Sequence, residues 1–465
     1  MSSLSRKSSA GRESSPVTRR LLWRIAARAG LAVGIVVFVC ATAFLLFPDS
    51  IVNQFLKDRN ITTFEKTYPE YSLQIAGLGY DISENRLECD SLWLMPSDSG
   101  FSFMIAALSV SGIGWIELLR GRALTPDFLA NSDLDAENVL LTFPRLQYEI
   151  ICGRLHISVS DSGIVAEGLE LHPIAEDGRF FAASKFRRTR FRLEVPHARM
   201  WGSACLGLLR RNMYCGRSVQ LQDPVLDILT NKDKPFQTHT VARLMPHELL
   251  SSIKAAIDVD SVSIVNGSVR YGERTTIGAE PATVTFDNMD VAIGGIANQC
   301  CDHDSTVIQA QGRFMNAGEL NLRMSIPVAA PTFSLRCIGS LARMPGNALN
   351  PFVTISDQVR IKSGYLEKAE FVVNVTDGRA SGTLQAAYRD LAIALQDNET
   401  GSEKGVLNRL KSMLANNIKL RTDNMPGESD AMKIGGVSYS RKPEDTFFQF
   451  MWLAVGSGLK DVVGY

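Results

Sequence analysis

The phrase Leu-Glu-Cys-Asp-Ser-Leu-Trp-Leu-Met-Pro at Leu87 to Pro96 returns as Ile-Val-Ala-Glu-Gly-Leu-Glu-Leu-His-Pro at Ile164 to Pro173. Leu92, Leu94 and Pro96 match Leu169, Leu171 and Pro173. Further on, Trp115, Leu118, Leu119 and Arg120 match Trp201, Leu208, Leu209 and Arg210 after a four-residue adjustment. The matched leucines are two apart, so in a strand they project to one face, and the proline closes the strand. A duplicated strand phrase predicts a stacked β scaffold, in which each unit buries its apolar face by lying on the next. Such a chain offers a surface or a groove before it offers an active site.

The rest of the chain carries the same alternation. Strand patterns cover Tyr71 to Ile82, Arg86 to Leu94, Phe101 to Val110, Ala136 to Phe143, Leu155 to Val159, Gly163 to Leu171, Phe191 to Val195, Ser218 to Ile228 and Val259 to Tyr271. They resume at Thr283 to Ile293, Ser305 to Phe314, Leu320 to Ile326, Thr332 to Leu341, Val359 to Ile361, Ala369 to Thr376, Arg379 to Tyr388, Leu391 to Leu395 and Ala431 to Tyr439. A helix leaving the membrane is expected at Asp49 to Tyr68, amphipathic helices at Leu244 to Ile257 and Val406 to Ile418, and a helix or helix pair at Asp445 to Gly464. That last segment is too short and too glycine-bearing to span a bilayer, and fits an apolar plug closing one end of the stack, or an interfacial helix. The fold expected is mainly β, an elongated, repetitive, curved sheet behind an N-terminal transmembrane helix. The boundaries read from the chain are a basic tail (1–28), a spanning helix (29–47), a β repeat region (48–242), a second β region (243–396) and closing helices with a strand (397–465).

Charge places the chain. Its 49 basic and 49 acidic residues cancel, so no overall field gathers a polyanion, and nucleic acid is not an expected partner. The distribution is uneven: Arg6, Lys7, Arg12, Arg19, Arg20, Arg24 and Arg28 precede Ala29 to Phe47, a run of 19 residues without a charge. At about 1.5 Å per residue that run matches a hydrocarbon core of ~30 Å, and its positive flank belongs on the cytoplasmic side. The body after Pro48 is then outside the cytoplasm. The competing signal-peptide reading rests on Ala41-Thr42-Ala43, but the apolar run continues beyond it to Phe47.

Motifs for chemistry are missing. There is no Gly-x-Ser-x-Gly elbow, phosphate-cradling loop or His-Glu-x-x-His helix, so neither an enzyme nor a cofactor is expected. Cys300-Cys301-Asp302-His303-Asp304 packs five possible ligands together, but no second pair stands at finger-like spacing, and it reads as a polar hairpin turn. His156, His172, His197, His239 and His247 are scattered. Apart from Cys40 there are seven cysteines, an odd number without the spacing of a disulfide module, which read as small apolar residues. The basic cluster Lys185, Arg187, Arg188, Arg190 and Arg192 suits either lipid phosphates or an acidic partner, or simply a solvated strand face.

Several phrases resemble the AsmA-like superfamily. They are Leu244-Met245-Pro246, the helix it opens and the strand-glycine-strand Ile257 to Tyr271; Pro224 to Ile228 with the polar Thr230 to Lys234; Leu349-Asn350-Pro351-Phe352; the strands around Gly364 and Gly382; Tyr388-Arg389-Asp390-Leu391; and the final Phe447 to Val463. The resemblance implies a bacterial inner-membrane protein, its N-terminus cytoplasmic and its bulk periplasmic, with a β groove that handles phospholipid on the way to the outer membrane. Alternation puts Val262, Ile264, Val269 and Tyr271 forward as groove-lining residues. About twenty strands ~4.8 Å apart would make a body on the order of 100 Å long, short for a solitary bridge across a periplasm. The other reading is a structural or adaptor protein that binds envelope or secretion proteins through its β surface.

Overall fold

A computed structural model describes residues 57–464 apart from 82, 98–99, 115, 117–128, 203–212, 237–243, 254–255, 276–278, 299–303, 329, 331, 396–420 and 428–431. The apolar run 29–47, the helix expected at 406–418 and the Cys300 to His303 cluster lie outside the described residues. No described helix is long and apolar enough to cross a membrane.

Among the described residues eighteen strands form one sheet. The first seven are an antiparallel meander: β1 (Tyr71–Asp81), β2 (Arg86–Pro96), β3 (Ser102–Ser111), β4 (Asp133–Phe143), β5 (Tyr148–Ser158), β6 (Gly163–Pro173) and β7 (Arg188–Trp201). β8 (Met213–Gln222) and β9 (Val225–Asn231) run one after the other along β7, broken at Asp223 and Pro224 because proline cannot give an N–H to the ladder. After a crossover, β10 (Ala256–Arg274) lies parallel to both, and the meander resumes. Its strands are β11 (Ala282–Ala297), β12 (Ser305–Phe314), β13 (Gly318–Pro327), β14 (Leu335–Leu341) with its short continuation β15 (Met344–Pro345), β16 (Val359–Thr376), β17 (Arg379–Leu395) and β18 (Ile434–Ser440).

The sheet therefore runs unbroken across residue 242, where the sequence suggests a boundary. β8 with β9, and β14 with β15, each occupy one position, so eighteen strands make sixteen ranks, about 70 Å at ~4.8 Å per step and shorter than the sequence count implied. The patterns at Val359 to Ile361 and Ala369 to Thr376 are one strand, as are Arg379 to Tyr388 and Leu391 to Leu395; irregular pairing around Ser363 and Leu366 breaks the alternation without ending the strand.

Among the described residues five α-helices accompany the sheet: α1 (Lys57–Thr67), α2 (Asp177–Ala182), α3 (Pro246–Ser252), α4 (Asn350–Ser356) and α5 (Phe447–Val463). The helix expected to reach Ile257 stops at Ser252, and Ala256 already pairs with Met213. α5 buries Phe450, Ala454, Gly458 and Val462, one ridge at four-residue spacing, and is capped by the Thr446 hydroxyl and by a left-handed Gly464. It lies along β18: Gly458 meets Gly435 so closely that a Cβ on Gly435 would fall 2.0 Å from the Gly458 oxygen, and Phe450 packs on Tyr439. Yet Phe448, the second residue of the helix, stacks on Tyr271 of β10, 5.8 Å between ring centres. β10 and β18 are seven ranks apart, ~34 Å if flat. Both touch one helix because the twisted sheet coils around it.

Candidate functional site

Directly paired residues of neighbouring strands share a face, so the register can be followed across the whole sheet. Starting at Leu78 it passes through Cys89, Leu108, Ala136, Leu155, Ala166, Ala198, Leu221, Ile264, Val291, Ala310, Leu322, Gly339, Phe371, Leu384 and Gly435. Every residue is apolar. A second row, two residues along, starts at Tyr80 and Leu87 and passes through Ile157, Ile164, Val219, Val262 and Ile293 to Cys337, Val373 and Val437. The position beside the first row on the opposite face reads Glu88, Ser109, Asp135, His156, Val165, Arg199, Gln220 and Ser263, mostly polar.

Two further rows complete the apolar face: Ile75, Leu92, Ile105, Val139, Cys152, Leu169 and Val195, then Leu73, Leu94, Phe103, Leu141, Ile150, Leu171, Leu193, Leu226, Val269 and Phe286. Ile75 and Leu78, or Cys152 and Leu155, are three apart and should face opposite ways in a regular strand. They pack in common apolar clusters. A crease crosses the strands at this level and resets the alternation, with left-handed backbone at Gly77 (φ 58°), Asn138 (50°), Gly168 (62°), Asp223 (51°), Asn266 (54°) and Asn288 (51°). At Gly77 a side chain would also strike Asp90.

The apolar face is closed at its ends. Ile61 and Phe64 of α1 pack at β1, while α4 and α5 cover β11 and β16 to β18, where Cys337, Val373, Ala386, Phe450 and Val462 are fully buried. Burial pushes the Cys337 thiol up to about 12, so this cysteine is an inert wall residue, and Cys89 and Cys152 line the same face. Between the ends, Leu155, Ile157, Ile164, Leu221, Val262, Ile264 and Ile293 are only half-buried.

The four groove residues expected from the sequence do share this face, but not one environment. Val262, Ile264 and Val269 are half-buried along it. Tyr271 is not a free liner: its ring lies under Phe448, its hydroxyl donates to Glu273 Oε1 at 2.7 Å, and desolvation followed by the adjacent Glu273 carboxylate pushes its pKa far up. Of the basic cluster, Arg190 is 4% exposed, clamped by Asp177 at 3.2 Å and Asp227 at 2.9 Å, and Arg192 reaches Asp177 at 2.9 Å. Arg188 stacks over Phe180 at 4.2 Å and donates to Gln147. These three arginines hold α2 on the sheet; Arg187 is half-buried beside them and Lys185 is exposed.

The sequence passed over most of the wall, including Leu155, Ile157, Ile164, Val219 and Leu221. Their signal was present, two apolar pairs separated by two residues in strand after strand, but a period-two template reads it as two unrelated half-strands. A shallow hollow of about 1020 Å³ over β10 to β17 is lined by Gln309, Gln311, Asn321, Arg323, Ser340 and Gln385 together with apolar Val265, Ile338 and Val372, and row residues Ile264, Leu322 and Phe371 border it as well. Among the described residues no group of three His, Cys, Asp or Glu side chains could hold a metal ion. His156 pairs with Asp135 at 2.7 Å and His172 approaches Glu149 at 3.6 Å. No family model matches the chain, and no curated protein matches it either.

Proposed function

We propose that this chain is a membrane-anchored, AsmA-like envelope protein whose apolar face holds phospholipid acyl chains, contributing to outer-membrane or envelope biogenesis. One observation carries the reading: apolar rows on one side of the sheet, two of them crossing it from end to end, with Leu155, Ile157, Ile164, Leu221, Val262 and Ile264 only partly buried between buried Ala136, Val139, Cys152, Ala166 and Val195, and with helices packed at the ends. A soluble body rarely leaves so broad an apolar surface to water without a hydrophobic occupant. Acyl chains suit it, because the rows offer dispersion contacts and no directional polar groups. The apolar run Ala29 to Phe47, behind its basic flank, supplies the bacterial inner-membrane anchor, with the bulk of the chain periplasmic. A body of about 70 Å favours a shuttle or a segment of a longer, partner-completed path over a solitary tunnel.

The test is photo-crosslinking in membranes from probes at Val262, Ile264 and Leu155, with buried Val373 as the reference. Lipid adducts at the first three and none at Val373 support the reading. Crosslinks only to protein sink it. That second outcome would favour an adaptor that binds envelope proteins through its β surface, for which the hollow over β10 to β17 is the supporting observation.

A further inference from the structure

At the strand ends where β4 turns into β5, four large apolar side chains stand out in solvent: Leu146 (62% exposed), Ile174 (48%), Phe186 (38%) and Phe191 (41%). They belong to one assembly of loops. The Ile174 N–H donates to the Gln147 carbonyl at 3.1 Å, Arg188 donates to the Leu146 carbonyl at 3.4 Å, and the Phe191 N–H donates to the Tyr148 hydroxyl at 3.0 Å. The loop carrying Phe186 is fixed from beneath by Lys234, whose ammonium donates to the Phe181 carbonyl at 2.7 Å and to that of Ser184, capping the C-terminus of α2. These side chains are thus held outward by a rigid base.

Phe191 belongs also to the groove. It pairs with Ile228, which pairs with Tyr271, so it is the next position along the apolar face after Leu193 and Leu226. The apolar face therefore runs without a break from its middle to this lip. Among the described residues of these loops Arg179 and Lys185 are exposed bases and Glu176 an exposed acid; Asp177 is engaged by Arg190 and Arg192, Glu149 lies beside His172, and Asp233, next to Lys234, is half-buried.

We infer that this lip is the surface on which the protein seats against an anionic phospholipid bilayer, with Leu146, Ile174, Phe186 and Phe191 entering the interface and the bordering bases meeting lipid phosphates. The inference rests on the acyl-binding reading of the groove and names its port. Apolar tips within a basic border fit a bilayer surface, where side chains that are costly in water become favourable and each base adds attraction to anionic headgroups. An acidic protein partner would use the bases but leave the projecting Leu146 and Phe186 without a role. The seat places the rim of the groove, at these strand ends, against its cargo.

The full chain, reconstituted in vesicles of phosphatidylcholine with or without phosphatidylglycerol, carries a photo-crosslinking residue at Leu146, Phe186, groove position Leu155 or polar-face Gln309. Adducts to lipid are expected at Leu146 and Phe186, rising with phosphatidylglycerol, and not at Gln309. Arg179→Gln with Lys185→Gln lowers their yield roughly tenfold on anionic vesicles and leaves it unchanged on neutral ones. Adducts at Leu155 without any at Leu146 or Phe186, adducts there only to protein, or yields indifferent to phosphatidylglycerol overturn the port. Adducts at Leu146 and Phe186 with none at Leu155 uphold the docking and overturn the groove reading. All four probe positions are exposed or half-buried, so their substitution leaves the fold intact, as an unchanged circular dichroism spectrum will confirm.

Discussion

Arg441 and Glu248, 193 residues apart in the chain, meet through two parallel hydrogen bonds of 2.8 and 2.9 Å. Glu248 also accepts the Met245 N–H at 2.7 Å, completing a box at the start of α3. Arg441 follows the last strand, and its guanidinium lies 5.6 Å over the Phe333 ring, on which His247 stacks. Residues from the crossover before β10 and from the end of β18 are thereby locked together. The pair fastens the coil that encloses α5.

Glu248→Gln should loosen that fastening. The pair is only partly exposed, with side chains 15% and 25% accessible, so the substitution leaves Arg441 poorly compensated at a cost of about 1–3 kcal/mol. Trp452 of α5 packs edge-on against Phe352, which makes its fluorescence a local reporter during urea denaturation. A lower midpoint is expected, partly restored by the swap Glu248→Arg with Arg441→Glu. An unchanged midpoint would show that the coil holds without this pair.

Acid should act on the same place in two steps. Burial, and then the nearby Arg441 charge, hold His247 below its usual range against the opposing pull of Glu248. A depressed histidine means that the unfolded chain takes up the proton first, so stability falls as pH drops below about 6.5 until the folded value is passed. Burial pulls the Glu248 carboxyl upward, but the hydrogen bonds from Arg441 and Met245 outweigh it and set it below the ordinary value. Its contribution is present above about pH 4.5 and is lost as pH falls through that lower folded value. His247→Phe should abolish the first step in a pH series of denaturation midpoints and spare the second; Glu248→Gln should do the reverse.

The groove separates occupancy from stability. Ile264 is half-buried on the open stretch of the apolar face, whereas Val373 is fully buried beneath the C-terminal helix. Ile264→Glu should cost only about 1–2 kcal/mol in folding and sharply reduce the lipid that mass spectrometry finds with the purified protein. Val373→Glu should unfold the C-terminal half outright. If Ile264→Glu retains its full lipid complement, the face is not the binding surface.

Why the sequence disclosed the strands but not this face is visible in Leu87-Glu-Cys89-Asp-Ser-Leu92-Trp-Leu94. Leu92 and Leu94 can be placed together by alternation alone, and the repeat at Leu169 and Leu171 does occupy the matching register positions. That Leu87 and Cys89 share their face depends on the crease, whose left-handed residue sits on a neighbouring strand at Gly77. Arg190 misled in a related way. Local sequence shows it among four other bases, while its acids, Asp177 and Asp227, are brought in by α2 and β9 from 13 and 37 residues away. α2 itself is six residues long, below the length at which helical periodicity can be recognised.

The β18 edge of the sheet predicts a last, different behaviour. Two N–H groups of β18 are occupied by α5: Gly436 donates to Asp461 Oδ2 at 2.8 Å and Ser438 to Ser457 Oγ at 3.0 Å. The Gly436 hydrogen bond, aided by Lys433, holds the Asp461 carboxyl below its usual range, so this acceptor stays charged at neutral pH. An edge strand with vacant donors invites pairing with another chain, and side-chain acceptors on the covering helix remove that invitation. Asp461→Ala with Ser457→Ala should expose both donors while leaving the buried ridge Phe450, Ala454, Gly458 and Val462 in place. Light scattering coupled to size-exclusion chromatography should then show concentration-dependent self-association, reduced by Ile434→Lys on the same strand. A double variant that stays in the same state as the parent at every concentration would mean that α5 guards the edge by bulk alone.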